Sequence, residues 1–177
     1  TPFARGRPAS DMRLAGMASN RGRNLINLAD GLDDVEFAVV LTNDADAPVL
    51  AAAADRDIPT EVVERAPEED RAAHEERVLD ALDGYGFELI CLDGYMRILT
   101  DEFVDRTATI LNVHPSLLPA FPGLDAHEQV LDAGARVTGC TVHVVDETVD
   151  GGPIVTQEAV PVYEDDDAAA LKRRVLH

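Results

Sequence analysis

The sequence predicts an α/β fold: a doubly wound, mostly parallel sheet with antiparallel edge strands near the carboxyl end. From Met12 onward, short apolar runs alternate with longer helical stretches, which is the pattern of strand-helix-strand units. The run FAVVLT is almost wholly apolar, as a strand covered on both faces should be. Two long extended runs near the carboxyl end have no helix between them, so we expect them to pair antiparallel. These runs are RVTGCTVHVVDE and GGPIVTQEAVPVY.

The first half of the chain predicts four strands and three helices. A first strand, RLAGMAS, is broken at NRGRN, after which LINLADGL has helical spacing. FAVVLT is the second strand, and it is followed by the helix APVLAAAADRD and the short strand TEVVE. In the next helix, RAAHEERVLDAL, four apolar residues share one face, as a helix packed on a sheet requires: Ala72, Val78, Leu79 and Leu82. FELICLD is the fourth strand.

The second half continues this alternation. Thr100 predicts a helix start before DEFVDR, because its hydroxyl can accept a backbone N–H and acidic residues follow in the first turn. ATILNVH is the fifth strand, and DAHEQVLDAG is a helix that Gly134 closes. A last helix, DDDAAALKRRVLH, reaches His177 without a capping residue, which indicates that the natural protein continues.

The domain organisation follows from length and composition. A chain of 177 residues suits one domain with a single core, and no repeat or linker divides it. Residues 1–11, which contain Pro, Gly and Arg, are expected to form a flexible amino-terminal extension. Residues 12–177 are then expected to form the domain, truncated at its carboxyl end.

The charge of the chain restricts its partners. It has 34 Asp plus Glu against 15 Lys plus Arg, a formal net charge of -19, and Lys172 is its one lysine. Acids spread along the whole chain predict a halophilic, acidic surface, which concentrated salt screens. No basic stripe exists that could bind the phosphate backbone of a nucleic acid, so nucleic acid is not an expected partner. An anionic small substrate would need a few local arginines and backbone amides.

Other residue patterns exclude several kinds of site. Cys91 and Cys140 lack CxxC spacing, which predicts buried reduced thiols and a cytoplasmic location. No apolar run is long enough to cross a membrane. Ser116 lacks the GxSxG setting of a nucleophilic serine. The histidines lack HExxH or HxH spacing, so no metal is expected; they are His74, His114, His127, His143 and His177.

A candidate phosphate site lies between the first strand and its helix. In NRGRNL, Gly22 permits a tight turn, and the backbone amides of a helix start can bind an anion. The motif is neither GxGxxG nor a Walker loop, so a plain strand-to-helix turn is the alternative. Arg21 and Arg23 favour phosphate, because there are few other reasons to cluster arginine in so acidic a chain.

A candidate catalytic pair lies in LNVHPSLLPAFPG. Residues two apart on a strand point to the same face, so Asn112 and His114 project together from the carboxyl end of the fifth strand. A buried structural histidine is the alternative for His114, but the paired Asn and the stiff proline-containing exit favour chemistry. Asp150 follows in the turn DETVDGGPI. A carboxylate near His114 would favour the imidazolium and raise its pKa.

Together these stretches resemble the phosphoribosylglycinamide formyltransferase family, which implies a Rossmann-like formyltransferase fold. The resemblance rests on NRGRNL, GYMRILTDEFV, ILNVHPSLLPAFPGLDAHEQVLDAG and GCTVHVVDETVDGGPIVTQ. It implies transfer of a formyl group from 10-formyltetrahydrofolate, the donor cosubstrate, to the amine of glycinamide ribonucleotide. It further implies that Asn112 holds the developing oxyanion, His114 donates a proton, and Asp150 orients a proton path and raises the pKa of His114. No metal is implied.

The resemblance also implies binding residues. Gly22, Arg23 and Asn24 would meet the substrate phosphate, with arginine where the family loop has small residues. The alternative to folate binding for Met96, Ile98 and Leu99 is ordinary packing in the core. For Arg71 the alternative is a charged helix residue that only contacts solvent. The implied folate-binding residues are Arg71, Met96, Arg97, Ile98, Leu99, Asn112, Asp146, Glu147, Thr148, Val149 and Asp150.

Related functions remain open at this stage. A formyltetrahydrofolate deformylase would use the same Asn, His and Asp on water, but that family places another residue where Pro115 stands. A methionyl-tRNA formyltransferase would need a basic carboxy-terminal module. A catalytically silent folate- or phosphate-binding domain is a third alternative, because a substrate-contacting glutamate of the family would lie beyond His177. The sequence leaves a homodimer or a fused partner domain open.

Overall fold

The computed structural model describes residues 12–176. The predicted extension at residues 1–11 and the predicted truncation at His177 lie outside the described residues. The chain folds into two compact units, the first ending at Arg97 and the second beginning at Ile98. Within residues 12–176, no helix combines the length and the apolar character that a membrane span requires.

The first unit is a parallel sheet with three helices. Its strands follow the order β3-β2-β1-β4, and the pairings β1–β2, β1–β4 and β2–β3 are all parallel. The strands are β1 (Met12–Met17), β2 (Val35–Thr42), β3 (Thr60–Val62) and β4 (Leu89–Leu92). The helices are α1 (Arg23–Gly31), α2 (Val49–Ala54) and α3 (Arg71–Leu82). Each of these elements matches a predicted one.

The core of the first unit explains why β2 lacks polar alternation. Val39, Val40 and Leu41 are fully buried, because both faces of this strand are covered. Gly16 of β1 lets α1 approach closely, since a Cβ built there would lie 2.8 Å from Leu25 Cδ1 and would overlap it. This packing brings the start of α1 to the carboxyl end of β1.

The second unit is antiparallel. Strand β6 lies between β5 and β7 and pairs antiparallel with both. The elements are α4 (Asp101–Arg106), β5 (Thr109–His114), α5 (Ala126–Asp132), β6 (Val137–Val144), β7 (Ile154–Pro161) and α6 (Ala168–Val175). The predicted fold class is therefore confirmed: an α/β fold with parallel strands first and antiparallel strands near the carboxyl end.

The helix ends follow capping chemistry. The side chains of Asp70, Thr100 and Asp167 accept backbone N–H groups of the first turns of α3, α4 and α6. The predicted helix start at Thr100 is thus confirmed. Beyond the end of α5, Gly134 has a φ of 64°, the left-handed conformation that glycine adopts without strain.

Gly139 is expected to be indispensable for the β6–β7 pair. A Cβ built at Gly139 would lie 1.8 Å from the Glu158 carbonyl oxygen, so Gly139→Ala forces backbone apart. We expect a loss of about 1–3 kcal/mol in the free energy of unfolding, measured by urea denaturation. Gly31→Ala is the control, because nothing lies within 4 Å of a Cβ at that helical position. Equal stability of the two variants would contradict this assignment.

Candidate active site

Asn112 and His114 lie at the carboxyl end of β5, as their spacing predicted. His114 is buried and Asn112 half-buried. In the antiparallel register, Asn112 lies opposite His143 of β6, and His114 lies opposite Thr141. The end of β5 therefore has a polar neighbourhood drawn from two strands.

Both ring nitrogens of His114 face acceptors. Nδ1 lies 3.2 Å from Asp150 Oδ2, and Nε2 lies 2.8 Å from the carbonyl oxygen of Phe121. A carboxylate and a carbonyl can only accept, so an imidazolium donates to both, whereas a neutral ring donates to one of them. The site therefore offers a binding environment for the protonated ring. Phe121 has a φ of 57°, an unusual conformation for a bulky residue, which aims its carbonyl at the histidine.

Asp150 joins the groups of this site. Its Oδ2 also accepts the Gly123 N–H at 2.8 Å, and its Oδ1 lies 3.5 Å from His143 Nε2. Burial alone would raise the pKa of Asp150, but the contacts with His143, the Gly123 N–H and the nearby His114 lower it below its ordinary value. Asp150 has a φ of 54°, which aspartate tolerates in a turn. The carboxylate is thus held in its charged form.

His143 belongs to this site although its residue type and spacing did not single it out. It is 2% exposed, and its Nε2 lies 3.2 Å from Asn112 Nδ2. The hydrogen bond with Asp150 raises the pKa of His143 above its ordinary value, against the opposing effect of burial. Only the β5–β6 register brings His143 beside Asn112, and the sequence does not fix that register.

A hydrogen-bonded frame holds the loop after β5. The Thr141 hydroxyl donates to the Ser116 carbonyl at 2.7 Å and accepts the Leu118 N–H at 3.0 Å. Gln157 of β7 donates to the same hydroxyl and to the Leu118 carbonyl, both at 2.9 Å. The Ser116 hydroxyl donates to the carbonyl of Ala120, so its hydrogen bond stabilises the loop. This arrangement is not that of an activated nucleophile. The Leu118–Pro119 peptide is cis.

The candidate phosphate loop belongs to the first unit. Gly22 has a φ of 52° at the start of α1, and a Cβ there would lie 2.6 Å from Val49 Cγ2, so only glycine fits. Asn24 donates its backbone N–H and its side-chain amide to Asp93, at 2.8 and 3.0 Å. Asn24 therefore keeps one side-chain hydrogen for a ligand. Arg23 is exposed, and the described part of the chain provides it with no hydrogen bond or ion pair.

Several of the expected folate-side residues are exposed. Met96 is 59% exposed, Ile98 61% and Val149 59%, so the alternative of core packing is wrong for Met96 and Ile98. Leu99 is half-buried, while Arg97 is exposed. Arg71, the first residue of α3, is exposed.

The segment 146–150 is a tight turn. Asp146 Oδ1 accepts both the N–H and the hydroxyl of Thr148, at 2.8 and 2.6 Å. Gly152 passes close to the carbonyl of Val144, where a Cβ would lie 1.9 Å from the oxygen. Glu147 and Val149 are exposed on this turn. The turn thus orients Asp150 inward, while the side chains of Glu147, Thr148 and Val149 are exposed.

The described residues include neither a disulfide nor a metal cluster. Cys91 and Cys140 are free and half-buried, and burial raises the pKa of Cys91 to about 11. The predicted burial of these thiols is therefore only partial, and their reduced state stays a prediction. Across residues 12–176, no group of three or more His, Cys, Asp or Glu side chains is arranged to hold a metal ion.

The structure brings Asn112, His114 and Asp150 together in the second unit and adds His143 to them. Gly22, Arg23 and Asn24 form their own group in the first unit. The backbone groups of Phe121 and Gly123 could not be found from residue types, because any residue has them. The arrangement provides a buried acid, a carboxylate that stabilises its charge, and an amide donor. These are the groups that acyl transfer requires.

Curated relatives carry related names. The bovine trifunctional purine biosynthetic protein adenosine-3 is 43% identical over 168 residues, which are 92% of this chain but only 17% of that protein. The chain therefore spans about a sixth of the length of this relative. Phosphoribosylglycinamide formyltransferase of Bacillus subtilis is 37% identical over 168 residues, which are 92% of this chain and 86% of that protein.

Solved structures agree with these relatives. Glycinamide ribonucleotide transformylase 1 from Symbiobacterium toebii has a TM-score of 0.91 and 39% identity, covering 98% of this chain and 86% of that chain. Phosphoribosylglycinamide formyltransferase from Anaplasma phagocytophilum has a TM-score of 0.87 and 40% identity, and the match covers 94% of this chain and 80% of that chain. The family described as formyl transferase matches residues 12–177. This chain belongs to the formyl transferase family.

Proposed function

We propose that this protein transfers the formyl group of 10-formyltetrahydrofolate to the amine of glycinamide ribonucleotide, a step of purine biosynthesis. The observation that carries the proposal is the half-buried Asp150 carboxylate, 3.2 Å from His114 Nδ1, with Asn112 on the same face of β5 as His114. Relatives named phosphoribosylglycinamide formyltransferase, at 37% and 40% identity, support it. In this proposal His114 is the acid, Asp150 stabilises its charge, and Asn112 is the hydrogen-bond donor to the oxyanion. The substrate amine is itself the nucleophile, so the enzyme does not need to provide one.

In this mechanism the substrate amine attacks the formyl carbon directly. A C–N bond forms to the amine, and the carbonyl oxygen becomes an oxyanion to which the Asn112 amide donates. His114 then protonates N10 of the folate as the bond between N10 and the formyl carbon breaks. The attacking nitrogen, which becomes cationic when its new bond forms, gives up one proton, and this proton passes through water to the neutral ring of His114. The imidazolium is thereby restored, and the protons balance. Asp150 stabilises the imidazolium form of His114 through the 3.2 Å contact.

One hydrogen bond of His114 must be exchanged during the reaction. Its Nε2 is bonded to the Phe121 carbonyl, and its Nδ1 faces Asp150. Because Asp150 maintains the charge of the ring, we propose that Nε2 leaves the Phe121 carbonyl and turns its hydrogen to the substrate. Loop residues 118–123 would then adjust while the frame at Thr141 stays in place.

For the phosphate of glycinamide ribonucleotide we propose the start of α1. The backbone N–H of Gly22 and of Arg23, the guanidinium of Arg23 and the free amide hydrogen of Asn24 are the donors. The exposed guanidinium of Arg21 adds positive charge beside the loop. These arginines oppose the field of a chain whose net charge is -19.

For 10-formyltetrahydrofolate, which acts as a cosubstrate, we propose an apolar and a charged contribution. From the first unit we propose Met96 as a contact of the ring system, and from the second unit Ile98, Leu99 and Val149. Leu99 is half-buried, and the other three are exposed and thus available. The turn 146–150 would enclose the head group through backbone donors and acceptors, with Arg97 and Arg71 available to its carboxylates. We propose no metal in the reaction.

The wider setting of the protein is also proposed. A fused partner domain is supported by the bovine relative, which is named trifunctional and of which this chain matches 17%. A homodimer stays a prediction. A cytoplasmic location fits a pathway of soluble metabolites and the free thiols of Cys91 and Cys140.

Release of tetrahydrofolate tests the proposal. The protein is mixed with 10-formyltetrahydrofolate in high salt, with and without glycinamide ribonucleotide. Release that depends on the amine supports the transferase. Release that does not depend on the amine would instead show a deformylase, and no release with the full-length protein would indicate a silent binding domain.

Replacing His114 should remove turnover but leave the fold. We expect His114→Asn to lower kcat by about 10²–10⁴-fold, because asparagine has no proton to exchange near neutral pH. The measurement is initial rate of tetrahydrofolate release, with circular dichroism melting as the check on folding. His127→Gln, which replaces another buried imidazole of the second unit, is the control. Retained activity in folded His114→Asn would disprove the assigned role.

Replacing Arg23 should weaken binding of glycinamide ribonucleotide without changing chemistry. Loss of a charge-assisted hydrogen bond, worth about 1.5–3 kcal/mol, predicts a roughly tenfold or larger rise in the Kd for Arg23→Ser. Titration calorimetry measures it, and kcat should stay within about twofold. Arg173→Ser is the control because it removes the same charge from an exposed position of α6. An equal rise in both variants would argue against a local phosphate contact.

The acidic surface should make stability depend on salt. We propose that the protein is salt-adapted, so transfer from about 1 M to about 0.01 M NaCl lengthens the screening distance from about 3 to about 30 Å and exposes its self-repulsion. Melting temperature should fall markedly on this transfer. Sucrose at matched osmolality is the control, since it leaves the charges unscreened. The same melting temperature in both salt solutions would refute the salt adaptation.

A further inference from the structure

The ring of His143 has one nitrogen with a fixed role. Nδ1 lies 3.0 Å from the carbonyl oxygen of Val144, which can only accept, so Nδ1 carries a hydrogen in either protonation state. In the neutral ring Nε2 therefore carries no hydrogen, and its lone pair can accept a hydrogen bond. The atom facing that lone pair is Asn112 Nδ2, at 3.2 Å. Neutral His143 thus accepts one of the two amide hydrogens of Asn112.

This contact determines which end of the Asn112 amide faces His143. An amide presents either its NH₂ or its oxygen to a neighbour, and a lone pair at Nε2 selects the NH₂. The second hydrogen of the same NH₂ then stays available to a developing oxyanion. We infer that His143 is a positioning residue, which in its neutral form holds Asn112 in the donor orientation. The inference rests on the proposed formyl transfer, in which Asn112 is the oxyanion donor.

Protonation of His143 should release Asn112. The imidazolium carries a hydrogen on Nε2, which can donate to Asp150 Oδ1 at 3.5 Å and can no longer accept from Asn112. The amide would then have to turn its oxygen to the ring or lose the contact. Asp150 consequently competes with Asn112 for the same ring nitrogen, and the pH determines which of the two is the hydrogen-bond partner of His143 Nε2.

The groups around His143 set the direction of this effect. Asp146 and Asp150 face it from the segment after β6, and the uncharged Asn112 and Ile154 are its register partners on β5 and β7. His114 of β5 contacts the same carboxylate, since its Nδ1 lies 3.2 Å from Asp150 Oδ2. The two carboxylates favour the charged ring and raise its pKa above 6.5. A raised pKa means that the ring stays protonated to a higher pH. The neutral, positioning form therefore gains population as pH rises through that pKa, and kcat should fall on the acid side.

Two substitutions separate positioning from structure. In His143→Gln the side-chain oxygen can still accept from Asn112 but does not titrate, so kcat should stay within about threefold and its acid-side fall should disappear. In His143→Phe no acceptor remains, so kcat should fall at least about tenfold at every pH, approaching the roughly 10²–10³-fold cost of losing an oxyanion donor. His127→Gln is the control for loss of a buried imidazole and should keep the wild-type pH profile. Equal losses in His143→Gln and His143→Phe, or an unchanged profile in both, would overturn the inference.

A readout without catalysis distinguishes this inference from the proposed function. The side-chain amide of Asn112, assigned by its disappearance in Asn112→Ala, is followed by nitrogen-15 NMR while the pH is varied. Its resonances should shift in the wild type with a midpoint above 6.5 and should not shift in His143→Gln. If the Asn112 amide resonances shift with pH in a protein that transfers no formyl group, the proposed function is refuted and the positioning role of His143 is retained. If the wild type transfers the formyl group but the Asn112 amide resonances do not change with pH, the positioning role of His143 is refuted and the proposed function is retained.

Discussion

The second unit depends on one half-buried carboxylate. Asp150 accepts from the Gly123 N–H and faces His114 Nδ1 and His143 Nε2, so groups from β5, β6 and the intervening loop converge on it. Partial burial destabilises an unpaired carboxylate, and hydrogen bonds from the Gly123 N–H and from His114 Nδ1 offset that cost. Removing either of these donors leaves the other to stabilise a full negative charge. The position of His114 and the shape of the loop are thereby linked through Asp150.

Much of the fold could be predicted because periodicity and capping are local. The buried run of β2, the cap at Thr100 and the shared face of Asn112 and His114 each depend on residues close together in the sequence. The approach of Asp150 to His114 depends on a left-handed turn conformation and on the Gly123 amide, neither of which residue types reveal. His143 was missed for a related reason, since it reaches Asn112 only through the strand register.

The first unit meets a different constraint at the start of α1. Asp93 accepts two hydrogens of Asn24, so a carboxylate already lies where the positive end of a helix would attract an anion. Binding a phosphate beside that carboxylate requires compensating positive charge close by. Arg21 and Arg23, exposed at the start of α1, would provide it under the proposed phosphate site. That proposal would make the two arginines and the aspartate after β4 parts of one charge balance.

The loop after β5 presents two backbone groups of opposite polarity to His114 and Asp150. The Phe121 carbonyl, which is partially negative, faces His114 Nε2, and the Gly123 N–H, which is partially positive, donates to Asp150. The imidazole therefore meets a hydrogen-bond acceptor, and the carboxylate meets a hydrogen-bond donor. Both contacts are set by the backbone conformation of the loop, so the polarity of its inner side does not depend on polar side chains in the loop.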